Sequence, residues 1–143
     1  MPNLGIVVSE FNADVTFVML ERAKDHAAFL GMTVKEIVKV PGVYDMPLIL
    51  KKLAQRKDID ALVAIGAVIE GETKHDEVVM QHTARKIADL AVEYEKPIGL
   101  GISGHGETKL QALDRVEKAR EAVESVAKLL KAVKQLSGRP SSR

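Results

Sequence analysis

A short polar loop near the middle of the chain has the residue types that could bind a phosphate. It spans residues 71–76, and Thr73 with Asp76 three positions later has the spacing of a capping box, which favours a helix start here. The free backbone N–H groups and the positive dipole end at such a start suit a phosphate. The pattern is equally consistent with an ordinary capped helix whose His75 faces solvent.

His75 could also transfer protons. In the first turn of a helix the dipole disfavours the imidazolium, so a neutral ring is available near pH 7 to accept and return a proton. His82 lies seven residues further on, but two zinc ligands on one helix are about four residues apart. We therefore predict no metal site at these histidines. His26 and His105 have no partner pattern and are predicted to lie at the surface.

Three further segments carry candidate residues. Phe11 is an aromatic ring in a polar segment of a chain with three Phe, two Tyr and no Trp. A ligand ring is one partner for it, and core burial is the commoner one. Asn12 or Asp14, just after it, could cap the next helix. Arg115 lies two turns into another predicted helix, where it could form a surface ion pair or hold a phosphate in its bidentate fork.

Two glycines, Gly99 and Gly101, begin a match to the dinucleotide pattern G-x-G-x-x-G at residues 99–104. They lie within a predicted strand, and no later strand supplies a ribose-binding acid, so the match is weak. We predict instead that they allow a close backbone approach to a ligand or a neighbouring subunit. No cofactor is predicted, and the absence of Cys excludes disulfides, thiolate catalysis and Cys-based zinc sites.

The elements that must position these residues alternate along the chain. Four apolar, β-branched runs predict strands at Leu4–Ser9, Thr33–Val40, Ala61–Ala67 and Pro97–Ile102. Helical spacing predicts helices at Val15–Leu30, Asp45–Arg56, Lys74–Tyr94 and Thr108–Leu136, the last broken once near Val116–Ala119. The alternation predicts an α/β three-layer sandwich with a four-stranded parallel sheet and flavodoxin-like topology. Ligands of such folds bind beyond the carboxyl ends of the strands, where every candidate motif falls.

Length and composition limit the classes of protein. We predict a single domain over residues 1–136 and a disordered tail over residues 137–143. The 21 basic and 20 acidic residues leave a net charge of +1, which argues against a partner with a phosphate backbone, so no nucleic-acid binding is expected. The longest apolar run, residues 61–69, is far shorter than the ~20 residues that span a bilayer. With no signal-peptide pattern at the N-terminus, we expect a cytoplasmic protein with no membrane partner.

Taken together, these motifs resemble the lumazine synthase family over roughly residues 4 to 133. The family loop G-x-V-I-x-G-x-T-x-H stands at residues 66–75, and the Phe-Asn of its first loop at residues 11–12. The proline-bracketed turn matches at residues 40–47, and the helix motif Q-A-[LI]-[DE]-R follows the fourth strand at residues 111–115. Four motifs in the right order are a specific match, unlike any one of them alone.

The resemblance implies a cofactor-free condensation of 5-amino-6-ribitylaminouracil with 3,4-dihydroxy-2-butanone 4-phosphate, in which His75 would be the proton shuttle. It implies three groups of substrate-binding residues. Those around the pyrimidine and ribityl chain are Phe11, Asn12, Gly42, Val43, Tyr44, Asp45 and the backbone of Val68 and Ile69. Those around the phosphate are Gly71, Glu72, Thr73 and an Arg115 donated by a neighbouring subunit. Leu100 stands where many members have Phe, and Glu70 where many have Arg.

The resemblance also implies small-molecule substrates and a homo-oligomer, either a pentamer or a sixty-subunit shell, with sites shared between subunits. Three alternatives stay open. The related archaeal-type riboflavin synthase dismutates two lumazine molecules, but it usually lacks the G-x-T-x-H loop. A flavodoxin-like module could bind a phosphorylated ligand without catalysis, and a purely structural shell protein is the third alternative.

Overall fold

The computed structural model describes residues 1–69, 76–107 and 116–138. Its strands are β1 (Asn3–Ser9), β2 (Thr33–Val40), β3 (Ala61–Ile69) and β4 (Ile98–Glu107). Its helices are α1 (Ala13–Phe29), α2 (Met46–Ala54), α3 (Asp76–Tyr94) and α4 (Glu117–Leu136). A short 3-10 turn, Val43–Asp45, precedes α2 and is called the 43–45 turn below. No helix in these ranges is long and apolar enough to cross a membrane.

The four strands form one parallel sheet in the order β2-β1-β3-β4. This is the order of a flavodoxin-like sheet, so the predicted fold class is confirmed. The chain reverses direction of travel across the sheet between β1 and β3, which is where such folds leave a crevice for ligands. Ser9 pairs with Val40 and Val8 with Ile65, so the carboxyl ends of β1 and β2 lie side by side.

Two apolar cores, one on each face of the sheet, make the three layers. Alternate residues of a strand point to opposite faces, and β3 is buried on both of them because its side chains are apolar throughout. One core joins the sheet to α1 and α4, and the other joins it to α2 and α3. The loops on which the site depends are therefore anchored on a sheet that is covered on both sides.

Glycines in β4 bring α4 unusually close to the sheet. A Cβ at Gly99 would lie 2.7 Å from the carbonyl oxygen of Ala122, and one at Gly101 would lie 3.3 Å from the Ala122 Cβ. The predicted close backbone approach at these glycines is thus confirmed, but the element that approaches them differs from the prediction. The glycines accommodate this chain's own α4 rather than a ligand or a neighbouring subunit.

Side-chain hydrogen bonds connect α1 to α4. Arg22 Nε donates to Glu117 at 2.9 Å, and the imidazole of His26 lies 2.7 Å from Glu124. These hydrogen bonds lower the pKa of both carboxyls. Their small stabilising contribution is present at neutral pH and is lost as pH falls through the lowered pKa. The sequence showed no partner pattern for His26, but its imidazole meets Glu124, 98 residues away, and its side chain is only 11% exposed. His105 has no described side chain.

Most of the predicted boundaries agree with the structure, and two do not. β4 continues to Glu107, five residues beyond the predicted end at Ile102, because the glycine-rich segment after it still pairs with the end of β3. The helix predicted from Asp45 to Arg56 begins as the 43–45 turn, and α2 itself ends at Ala54. There Lys96 Nζ donates to the carbonyl oxygens of Ala54 and Arg56 at 2.8 and 2.7 Å. The predicted start of the last helix and residues 139–143 lie outside the described ranges.

Candidate functional site at the carboxyl ends of the strands

The loops that follow β1 and β2 are joined by backbone hydrogen bonds. Glu10 N–H donates to Val40 O at 2.8 Å, and Phe11 N–H donates to Pro41 O at 3.1 Å. The parallel pairing of the two strands thus continues beyond their ends. It brings the Phe11 segment and the proline-bracketed turn together, as the sequence predicted for motifs at the same edge of a parallel sheet.

Asn12 connects this edge to β3. Its backbone is left-handed, with φ of 62° and ψ of 48°, a conformation that Asn adopts more readily than most residues. Its side-chain amide donates to Ala67 O at 3.2 Å, while its carbonyl oxygen accepts the N–H groups of Val15 and Thr16. The predicted side-chain cap is wrong for Asn12, because α1 has no side-chain cap and the amide reaches across to β3 instead.

Phe11 is an exposed ring at this edge. Its side chain is 65% exposed, so the commoner interpretation, core burial, is wrong. A Cβ built at Gly42 would lie 3.0 Å from two carbons of the ring. A larger residue at position 42 would therefore press on the ring and shift it, whereas glycine leaves room for it in this position, where most of it stays open to a ligand.

The 43–45 turn follows Gly42, which lies against the Phe11 ring. Val43 is buried and Tyr44 is 64% exposed. Two hydrogen bonds join Gly42 to Asp45 across the turn. The Asp45 carboxylate accepts the Gly42 N–H at 3.0 Å, and the Asp45 N–H donates to Gly42 O at 3.0 Å. These bonds fix the backbone of the turn from which the Tyr44 side chain projects.

Helix α3 contacts the 43–45 turn through two neighbouring residues that sequence reasoning did not assign to the site. The hydroxyl of Thr83 donates to Val43 O at 3.4 Å, and Thr83 is fully buried. The His82 ring stacks on Tyr44 with 6.4 Å between ring centroids and 20° between planes. One signal could have found Thr83: it is a polar residue on the buried face that also carries Ile87 and Leu90.

The floor of the site is formed by Ser9 and Gly66. A Cβ at Gly66 would lie 2.8 Å from Val43 Cγ2, 2.9 Å from Ser9 Oγ and 3.1 Å from Met46 Cε. Glycine at position 66 thus allows the 43–45 turn to pack directly on β3. Ser9 Oγ is fully buried there and has no hydrogen-bond partner among the described residues.

Replacing Ser9 with alanine is expected to leave the protein at least as stable as the original. A buried hydroxyl without a partner costs on the order of 1 kcal/mol, and alanine removes that cost with little change of shape. Denaturant unfolding of the two proteins measures the difference. A clear loss of stability in Ser9→Ala would show that the hydroxyl has a partner in the folded protein.

The remaining predicted site residues fall into two groups. Val68 is buried beside Gly104 of β4, and the Ile69 backbone ends β3 opposite Glu107. Leu100 is 36% exposed and pairs with Ala64, so it lies about 16 Å before the end of β3 at ~3.3 Å per residue. One chain alone therefore does not bring Leu100 to this cluster. The others lie outside the described residues: Gly71, Glu72, Thr73, His75 and Arg115.

The described part of the site consists of exposed aromatic rings, backbone groups and one carboxylate. The exposed rings of Phe11 and Tyr44 offer faces on which a flat heterocycle can stack, and Asp45 with the strand-end backbone supplies hydrogen-bonding groups. Within residues 1–69, 76–107 and 116–138, no group of three His, Asp or Glu could hold a metal ion. The arrangement can bind and orient a planar ligand.

Comparisons with known proteins agree on one family. A family model described as 6,7-dimethyl-8-ribityllumazine synthase matches residues 2–134. The chain is 57% identical over 136 residues to the protein of that name from Methanocaldococcus jannaschii, covering 95% of this chain and 96% of the relative. It is 61% identical over 135 residues to the one from Sulfolobus acidocaldarius, covering 94% and 85%. For the one from Pyrobaculum calidifontis, identity is 58% over 137 residues, with coverage of 95% and 91%.

Proposed function

The chain belongs to the 6,7-dimethyl-8-ribityllumazine synthase family, and from this premise we infer that it makes 6,7-dimethyl-8-ribityllumazine for riboflavin biosynthesis. The substrates are 5-amino-6-ribitylaminouracil and 3,4-dihydroxy-2-butanone 4-phosphate, and inorganic phosphate is released. The observation that carries the assignment is the match over nearly the whole chain. The exposed rings beside backbone hydrogen-bonding groups, at the edge where this fold binds ligands, agree with a flat pyrimidine substrate.

The reaction asks the protein to position two substrates and to move protons. The pyrimidine amine attacks the ketone and water leaves to give an imine, after which phosphate is eliminated. Elimination leaves an enol, which tautomerises to a new ketone. The ribityl-bearing nitrogen attacks that carbonyl, and loss of a second water closes the ring. The substrate amine is the nucleophile, so no protein nucleophile is required. Much of the acceleration can come from holding the two reactants together.

We propose roles for the described residues from their positions. Phe11 stacks on the pyrimidine ring, as its exposed face at the edge of the site allows. The 43–45 turn and the ends of β3, Val68 and Ile69, bind the ring edge and the ribityl hydroxyls. Gly42 has a steric role, because it leaves space for the Phe11 ring. Asn12 holds the Phe11 loop on β3.

The roles proposed for the other residues rest on the sequence motifs. Gly71, Glu72 and Thr73 bind the phosphate of the ketose, and His75 transfers protons during imine formation and elimination. α3 begins at Asp76, directly after this loop. The N-terminal end of a long helix, whose dipole favours an anion, therefore follows these residues directly in the chain.

Arg115→Ala is expected to raise the KM for the ketose phosphate about tenfold, because a charge-assisted hydrogen bond to phosphate is lost. The KM for the pyrimidine should change much less, since Arg115 does not meet that substrate. Steady-state kinetics with each substrate varied in turn measures both constants. Equal changes in the two constants would mean that Arg115 is structural.

We also propose that the protein works as a homopentamer, alone or as part of a sixty-subunit shell, with sites shared between subunits. Two observations support this. Large apolar side chains are exposed on α1, α3 and α4, which is typical of surfaces that another chain covers: Phe17, Phe29, Val92, Leu129 and Leu136. Leu100 also lies apart from the site of its own chain. Native mass measurement should give a multiple of five subunits, and an active monomer would exclude this assembly.

The cytoplasmic location stays a prediction of the sequence.

A pair of assays tests the function. In the first, the protein receives both substrates without metal or cofactor, and lumazine and free phosphate should appear in equal amounts. In the second, it receives lumazine alone and should make no riboflavin. Riboflavin in the second assay with no product in the first would favour the riboflavin synthase alternative. If the protein binds its ligands but makes no product in either assay, the remaining alternative is a non-catalytic binding module.

A further inference from the structure

We propose that Thr83 and His82, adjacent residues of α3, are positioning residues that hold the 43–45 turn in the conformation that receives the pyrimidine substrate. This inference rests on the proposed function and adds two residues that neither the sequence motifs nor the family match assigns a role. Val43, Tyr44 and Asp45 stand between two elements, β2 and α2, and Tyr44 is mostly exposed.

The hydrogen bonds within the turn do not set its position relative to the rest of the site. Gly42 and Asp45 close the turn on itself, and Met46 N–H donates to Val43 O as the turn passes into α2. These bonds fix the shape of the turn, but all of their partners belong to the same short segment. Contacts from elsewhere in the fold must therefore set its position relative to Phe11 and the end of β3.

Thr83 supplies one such contact from a place where an apolar residue would be expected. It is fully buried on the face of α3 that carries Ile87 and Leu90. A Thr hydroxyl within a helix commonly bonds back to its own helix, but this one donates to Val43 O, 40 residues away, at 3.4 Å. At that length the bond is weak, so we expect it to adjust the turn by a moderate amount.

His82 supplies a second contact, on the rim of the same helix. Its ring stacks on Tyr44 at 6.4 Å with an interplanar angle of 20°, within the range in which aromatic pairs attract. A tyrosine that is 64% exposed would otherwise sample several rotamers. Stacking on one face of the phenol restricts it and leaves the rest of the ring open to a ligand.

The two contacts act on consecutive residues of the turn. Thr83 bonds the backbone of Val43, and His82 packs on the side chain of Tyr44. The same helix starts directly after the loop proposed to hold phosphate and His75. α3 thus supports the 43–45 turn through two adjacent residues. Its residues 82 and 83 should affect binding of the pyrimidine without touching either substrate.

The test compares Thr83→Val with Thr83→Ser, and His82→Ala with His82→Phe. Valine keeps the branched shape of Thr83 in an apolar setting but removes the hydroxyl, so the fold should survive. We expect Thr83→Val and His82→Ala each to raise the KM for the pyrimidine by about threefold to tenfold, the effect of losing one modest contact. The kcat and the KM for the ketose phosphate should stay within about twofold. Serine and phenylalanine, which restore the hydroxyl and the stacked ring, should rescue most of the loss.

Equilibrium binding of the pyrimidine alone to the same proteins distinguishes a failure of this inference from a failure of the proposed function. It should weaken by the same factors, whether or not turnover is observed. Gln81→Ala, which changes an exposed neighbour that bonds Glu77 rather than the turn, should bind as tightly as the original protein. Normal pyrimidine binding by folded Thr83→Val and His82→Ala would overturn this inference while leaving the proposed function intact. A wild-type protein that binds no pyrimidine would overturn both.

Discussion

Phe11→Ala is expected to raise the KM for the pyrimidine substrate on the order of thirtyfold, because stacking a base on an aromatic ring is worth about 1–3 kcal/mol. The ring is 65% exposed, so its removal takes little from the core. The free energy of unfolding should therefore change only slightly. The kcat should fall far less than the KM rises, since the lost contact serves substrate binding in the ground state as well as in the transition state.

The chain offers a matched control for this prediction. Phe17 lies six residues further on, in α1, and is 63% exposed. Phe17→Ala removes the same kind of ring at nearly the same exposure, from the second turn of α1 rather than from the segment that follows β1. Its KM for the pyrimidine should match that of the original protein when both have the same assembled mass. If the two variants have equal kinetics, Phe11 does not stack on the substrate.

His75→Ala is expected to lower kcat by about a hundredfold or less, since general acid–base help is worth ~10²–10⁴ and the positioning of the two substrates stays intact. The KM values should change little. The dependence of kcat on pH should also lose the step that a titrating imidazole contributes. Single-turnover kinetics across a pH series measures both effects.

Lys74→Ala is the neighbouring control for this substitution. It changes the residue before His75 in the same loop and removes a charge, but it takes no group that can exchange protons near neutral pH. It should keep the pH profile of the original protein. An unchanged rate and an unchanged profile in His75→Ala would exclude His75 from the mechanism.

The periodicity of the sequence was enough to predict the elements of this fold. β2 begins and ends where the sequence predicted, at Thr33 and Val40, because β-branched residues precede a Pro-Gly stop. The apolar character of β3 on both faces predicted a central parallel strand, and the sheet order confirms it. Such signals are local, so a single segment contains them completely.

The sequence by itself also determined the family and the edge of the sheet at which the segments after β1 and β2 meet. Residue type, spacing and order along the chain carry that information, since parallel strands bring all of their carboxyl ends to one side. It did not determine which side chains touch. The prediction of a capping side chain for Asn12 was wrong because its amide finds Ala67 O, 55 residues away, across the sheet.

Only the tertiary structure decided which residues support the site. Thr83 meets Val43 at a separation of 40 residues, and Gly99 meets Ala122 because α4 lies flat on β4. Each contact depends on strand order, register and helix packing at the same time. Those quantities depend on how the whole core fills its volume at close packing. No window of sequence contains that information, which is why Phe11 could be predicted as a candidate while its exposure, and the glycine that permits it, could not.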